Sequence, residues 1–156
     1  MTSEDFARRI TAMTPTLYRV ACCYLRQPSD REDAVQEALR KAWEKRGSLR
    51  EERYLQTWVV RILINECRML CRRSARMVPM EEMRAAASQV EESRLRESLL
   101  ALEEKLRLPI LLHYIEGCSV EETARMLRIP QGTVKSRMAR GRAKLREMLR
   151  EEVFEA

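Results

Sequence analysis

The chain has 156 residues, 45% hydrophobic and 35% charged, with a formal net charge of +6, which suits one domain or two small ones made of short amphipathic helices. Only four glycines and neither a GxGxxG nor a Walker A pattern exclude a glycine loop that cradles phosphate. No apolar run nears the roughly 20 residues that span a bilayer, and no apolar stretch of the signal-peptide kind follows Met1–Arg9, so a cytoplasmic location is expected.

Phe6, Ile10, Leu17, Val20, Ala21 and Leu25 keep helical spacing and predict a first helix over about 3–26, with Pro15 splitting or kinking it. Gln27-Pro28 breaks that pattern. Ser29, with Glu32 three residues later, reads as a capping box opening a second helix to about Arg46. That helix is expected to bury Ala34, Val35, Ala38, Leu39, Ala42 and Trp43, and Gly47-Ser48 ends it. A polar loop, 47–53, follows.

The next helix, about Tyr54 to Arg73, carries an apolar stripe of Leu55, Trp58, Val59, Ile62, Leu63 and Leu70. Arg61, Asn65, Arg68 and Arg72 are spaced 4, 3 and 4 apart and share another face, which by spacing alone reads as a solvated charged face. Residues 77–92 contain Pro79 and lack a clear period, so they read as a flexible linker between two small helical domains, 1–76 and 93–156. The expected fold is therefore all-α.

A helical pattern resumes near Ser93 with Leu95, Leu99, Leu100 and Leu102. A further helix holds Ile110, Leu111, Leu112, Tyr114 and Ile115, with Pro109 near its first turn or bending it and Gly117 as the residue after its C-cap. Ser119 with Glu122 forms another capping box, and Val120, Ala124 and Leu127 are expected to face inward. Arg128-Ile129-Pro130 reads as a turn, with Ile129 plugging the core and Pro130 starting the last helix.

On that last helix Val134, Met138, Gly141 and Leu145 cluster on one side, at 100° per residue. The small residues Ser136, Ala139 and Ala143 lie opposite. Arg137, Arg140 and Lys144 form one flank, and Lys135, Arg142 and Arg146 the other. Residues 128–150 hold eight basic residues against Glu147, a net +7, so the rest of the chain sums to −1 and the positive charge is local. A small ridge between two basic flanks suits a major groove, the ridge near base edges and the flanks near phosphates. Thr133 and Ser136 lie near the helix N-terminus, where their hydroxyls, with exposed backbone N–H groups, can donate to phosphate.

Gly-Thr-Val-Lys-Ser-Arg (132–137), preceded by Glu-Gly-Cys-Ser-Val-Glu-Glu-Thr-Ala (116–124), resembles region 4 of the extracytoplasmic-function (ECF) sigma factors of bacterial RNA polymerase. Asp-Ala-Val-Gln-Glu-Ala (33–38) with Trp43 resembles their region 2.2 helix. Tyr-Leu-Gln-Thr-Trp-Val-Val-Arg-Ile-Leu-Ile-Asn-Glu-Cys (54–67) resembles regions 2.3 to 2.4. The two motif sets stand in the right order and cover nearly the whole chain.

The resemblance implies roles that the bare pattern does not. Asp33, Gln36, Glu37 and Arg40 would bind the polymerase core through its β′ clamp helices, with the β subunit as a further core partner. Leu49 in the 47–53 loop, with Arg61, Asn65, Arg68 and Arg72, would hold the −10 element as opened single strand, reversing the solvated-face reading of that stripe. Gln131, Thr133, Lys135, Ser136, Arg137, Arg140 and Lys144 would read the −35 element as duplex. An anti-sigma factor, often membrane-anchored in this family, would hold the protein inactive, at times at the inner face of the membrane. The chain departs from the family at three places. Leu49 stands where many members carry an aromatic, with Tyr54 close by as a substitute. Pro109 interrupts a helix usually continuous, and His113 stands where many members have arginine.

The resemblance implies no cofactor, no small-molecule substrate and no catalytic chemistry. Five cysteines in a chain without a secretion signal read as reduced thiols. Cys67 and Cys71 are four apart, but zinc takes four ligands and the only histidine, His113, is distant in sequence. A thiol enzyme using Cys67 or Cys118 lacks a neighbouring base. The competing non-enzymatic reading is a helix-turn-helix regulator that acts without polymerase, for which residues 29–73 have no use.

Overall fold

The computed structural model describes residues 1–74 and 92–155, which form helices joined by turns and short irregular links, with no strand among them. The expected linker, apart from Glu92, and the side chain of Leu95 lie outside the described part. The chain divides into two compact units, Met1–Met77 with Arg125–Leu127, and Val78–Ala124 with Arg128–Ala156. No helix among the described residues is long and apolar enough to cross a membrane.

The first unit contains α1 (Ser3–Ala12), α2 (Thr14–Cys22), α3 (Pro28–Glu44) and α4 (Leu55–Ser74). Thr2 caps α1 by accepting from the Asp5 N–H at 3.1 Å. Where one helix over 3–26 was expected, two helices meet at Met13, because Pro15 in the first turn of α2 has no N–H to continue the ladder. The capping box at Ser29 does not form. Pro28 takes the first helical position, which puts Ser29 inside the helix and Gln27 at the cap with no side-chain bond. Arg31 instead donates from Nε to the Leu25 carbonyl at 2.8 Å and from Nη2 to the Arg26 carbonyl at 3.1 Å, tying α3 to the end of the preceding turn.

Between α3 and α4 the polar loop is shaped by two short 3₁₀ turns, Arg46–Ser48 and Glu52–Tyr54. α3 packs most extensively on α4, and α2 rests on both. Leu17, Val20, Ala34, Val35, Ala38, Ala42, Val59 and Leu63 are wholly buried, each larger one contributing about 1.5–3 kcal/mol relative to exposure. The stripe on α4 is broader than its sequence pattern. Trp58, Ile62 and Leu70 are only half-buried, while Val60, Ile64 and Cys67 are buried because two helices pack on α4 from different sides. Leu39 is half-buried and Trp43 is 38% exposed, not buried as expected; the Trp43 ring meets Phe6 of α1 on one side and the Arg46 guanidinium on another.

The second unit contains α5 (Glu92–Ala101), α6 (Glu104–Ile110), a π turn (Leu111–Ile115), α7 (Val120–Leu127) and α8 (Gln131–Glu155). Its core joins Leu99, Leu102, Leu106, Ile110, Ala124, Val134, Met138 and Leu145, with Val120, Ile129 and Met148 packed against it. Pro109 sits inside α6, and the helix expected over 110–115 is a π turn that leaves Tyr114 and Ile115 exposed. Gly117 takes φ +73°, as a residue after a helix C-cap requires. The Ser119–Glu122 capping box forms in both directions. Arg128 ends α7 at φ 57°, the left-handed region. Pro130 lies one place before the first helical residue of α8, its carbonyl accepting from Val134.

No disulfide joins the five cysteines: Cys23, Cys67 and Cys118 are buried, Cys22 and Cys71 half-buried. Burial, then the nearby Glu122 and Glu116 carboxylates, pushes the Cys118 thiol from 9.0 up to about 11. Because the folded value is the higher one, stability linked to this thiol is complete below about pH 9 and is lost as pH rises toward 11. At pH 8, iodoacetamide is expected to alkylate Cys22 well before Cys118, read by peptide mass mapping. Equal rates would contradict the burial of Cys118.

Candidate polymerase and nucleic-acid interfaces

α3 and α4 form the walls of a groove of about 650 Å³. Asp33, Gln36, Glu37 and Arg40 line it from α3, and Glu66, Met69 and Leu70 from α4. Their i, i+3, i+4 and i+7 spacing on α3 places all four on one face. Arg40 donates from Nε to Glu37 Oε2 at 3.0 Å and from Nη1 to Glu44. The Arg40 hydrogen bond holds the Glu37 carboxyl below the usual carboxylate range, and the two carboxylates raise the Arg40 guanidinium above its ordinary value. Asp33, Glu37, Glu44 and Arg40 together carry a net charge of −2, so this face suits a basic partner. At its floor Lys41 forms an ion pair with Glu66 across the two helices, with side chains 29% and 8% exposed. That pair joins positions 25 residues apart and had no sequence signal.

The residues expected at the −10 strand do not all converge on one cavity. Leu49, half-buried, lines a separate pocket of about 350 Å³ with Phe6, Arg46 and Arg50, which none of Arg61, Asn65, Arg68 and Arg72 lines. On α4, Asn65, Arg68 and Arg72 are exposed and Arg61 is half-buried. Tyr54, the other aromatic candidate, does not line the pocket, and the Arg53 guanidinium covers its ring at 4.7 Å. Sequence reasoning passed over Arg46, whose guanidinium lies 4.1 Å from the Trp43 ring and donates to the Trp43 carbonyl at 2.9 Å. The signal was available in the three-residue spacing of Trp43, near the end of α3, and Arg46, in the 3₁₀ turn that follows. Phe6 backs Trp43 at 6.2 Å and Trp58 at 6.3 Å between ring centres.

On α8 the wheel is as expected. Val134, Met138, Gly141 and Leu145 are buried, and Ser136, Ala139 and Ala143 are exposed opposite them. Gln131, Lys135, Arg140 and Lys144 are exposed, while Thr133 and Arg137 are half-buried. Ser136 donates its hydroxyl proton to the Thr133 carbonyl at 3.1 Å, so toward a phosphate it presents lone pairs, not the donor expected of it. Lys144 has Glu103 at 3.8 Å, an exposed pair of small energetic weight.

A helix-turn-helix whose second helix carries cations on both flanks, in an all-helical chain of two units, is the architecture of a DNA-binding transcription protein. Residues 10–77 match the family described as Sigma-70 region 2, and residues 92–145 that described as Sigma-70, region 4. The chain is 34% identical over 139 residues to the ECF RNA polymerase sigma factor SigM of Mycobacterium tuberculosis, covering 85% of this chain and 71% of that one. It is 28% identical to SigW of Bacillus subtilis, covering 95% and 90%. Its fold is similar to the sigma factor RpoE solved with the anti-sigma factor NepR from Bartonella quintana, with TM-score 0.79, 27% identity and coverage of 94% and 98%. It is also similar to CnrH solved with the cytosolic domain of CnrY, with TM-score 0.77, 25% identity and coverage of 96% and 90%. The chain belongs to the ECF sigma factors of the sigma-70 family. Sigma factors of this kind are non-catalytic initiation factors that direct RNA polymerase to promoters.

Proposed function

We propose that residues 1–76 bind core polymerase and hold the opened −10 strand, and that residues 93–156 read the −35 duplex. The observation that carries the first assignment is the convergence of Asp33, Gln36, Glu37 and Arg40 on one acidic groove, beside the exposed Met69. A basic amphipathic helix such as a β′ clamp helix fits its charge and its partly apolar wall. Arg61, Asn65, Arg68 and Arg72 then follow the single strand, and the Leu49 pocket takes an unstacked base against apolar surface. Gln131, Thr133, Lys135, Ser136, Arg137, Arg140 and Lys144 meet the −35 duplex, and the polymerase β subunit is a further contact. The test is run-off transcription with bacterial core polymerase on a promoter library. Sequence-selective initiation that depends on the chain supports the reading. Duplex binding without initiation would leave a regulator that acts without polymerase.

Within this reading Asn65→Ala impairs −10 opening, measured by permanganate footprinting, and leaves core association intact. Equal loss of both would mark a folding defect. Arg140→Ala weakens −35 duplex binding by about 1–3 kcal/mol if it reads guanine, and evenly across sequences if it touches only phosphate. An anti-sigma factor that covers the α3–α4 groove is the proposed negative partner, supported by the similar sigma factor RpoE solved with the anti-sigma factor NepR. The protein acts in the cytoplasm on this reading, at the inner membrane face where that partner is anchored.

A further inference from the structure

Arg142 lies on the flank of α8 that also carries Lys135 and Arg146, and all three are exposed. Arg142 is held by a neighbouring aromatic. Its Nη1 donates to the Tyr114 hydroxyl, and its guanidinium carbon lies 5.8 Å from the Tyr114 ring centre. Fixing an arginine costs rotamer entropy, so a guanidinium already held in the free protein gives up less when it meets a second ligand. The partner is neutral. Where Glu103 offsets the charge of Lys144, a phenol oxygen takes one of five N–H donors and leaves the full charge and the other four.

The position of Tyr114 follows from two departures of this chain from its family's pattern. Pro109 has no N–H to return to the carbonyl one turn back, and the backbone after it widens, Glu116 N donating to the Leu111 carbonyl at 3.0 Å. Such π turns re-aim the side chains they carry and recur at functional sites. This one leaves Tyr114 50% exposed. The His113 ring meets it edge-on at 4.9 Å, and His113 is itself fixed by donating from Nδ1 to the Cys118 carbonyl at 2.7 Å.

We infer that Arg142 is a phosphate-binding residue of the recognition helix and Tyr114 a positioning residue that aims its guanidinium at the duplex backbone. The inference rests on the reading of the second unit as duplex-binding. When the ridge of Ser136, Ala139 and Ala143 faces the groove, this flank faces one phosphate strand.

The test titrates the full chain against a fluorescent duplex of random sequence, about two helical turns long, over a range of salt concentrations. A lost phosphate contact lowers the slope of log K against log salt by about 0.9, the result expected for Arg142→Ala. Tyr114→Phe keeps the ring and leaves the core untouched, so its expected loss is in affinity alone, about threefold, the weight of one modest hydrogen bond. In an Arg142→Ala background Tyr114→Phe is expected to have no further effect. Unchanged binding by Tyr114→Phe, or an equal loss when Arg142 is absent, overturns the positioning role. An unchanged slope for Arg142→Ala overturns the phosphate contact. Failure of the unaltered chain to bind any duplex, free or with core polymerase, overturns the reading of the unit itself and this inference with it.

Discussion

Gly141→Val lowers the stability of the second unit by about 2–3 kcal/mol, the upper part of the range for overpacking a core. A Cβ at 141 would stand 2.3 Å from Ile110 Cδ1 and 3.4 Å from the Leu106 carbonyl oxygen. Ile110 is 5% exposed, so turning its Cδ1 aside disturbs the core packed around it. α6 therefore lies close against α8 here, and a branched side chain must push the two apart. Gly141→Ala is milder, because replacing a helical glycine gains up to about 1 kcal/mol in propensity. Thermal denaturation of the full chain reads the loss as a fall in melting temperature of roughly 10 °C. Ile110→Val, which removes the clashing methyl, is expected to cost less in the Gly141→Val background than in the unaltered chain. Strictly additive losses would show that the two side chains do not meet.

Lys41→Met leaves the Glu66 carboxylate in the wall of the α3–α4 groove without its counter-charge. Loss of one partner from a fully buried pair costs about 3–5 kcal/mol, and because Lys41 is 29% exposed we expect about 2–3. Replacing both, Lys41→Met with Glu66→Met, is expected to restore most of the stability, since neither charge is then left alone. Urea denaturation of the three variants decides it; a double variant as unstable as the single would mean that shape, not charge, is at stake. The same pair joins the two walls of the candidate polymerase surface. Core association should fall in the single variant and recover in the double. Equal weakening in both would instead place these charges in direct contact with the polymerase.

The parts of the chain most legible in its sequence are those in which a helix meets its neighbours along a single stripe. α8 packs on the second unit's core with a single stripe, so spacing at 100° per residue identified Val134, Met138, Gly141 and Leu145. α4 is touched from two sides by α2 and α3, and there a single stripe missed Val60, Ile64 and Cys67. Capping was legible at Ser119, where the box competes with nothing. It misled at Ser29, where Pro28 had already taken the first helical position. Trp43 was expected inside as part of the apolar pattern of its helix, yet its apolar face is covered in part by the Arg46 guanidinium. For the candidate interfaces, residues on one helix face could be grouped from sequence. Lys41 with Glu66, and Arg142 with Tyr114, are pairs 25 and 28 residues apart, and only the folded chain brings them together.

Arg128 holds the one non-glycine backbone with positive φ among the described residues, at the turn between α7 and α8. A side chain in that region costs on the order of 1 kcal/mol, which glycine would avoid. Arginine at this point carries that conformational cost and places an exposed cation just before α8. A population of variants selected only for folding would drift to glycine at 128, and one selected for promoter occupancy would keep the arginine. The residue recovered at this turn thus reports which of the two demands governs the protein.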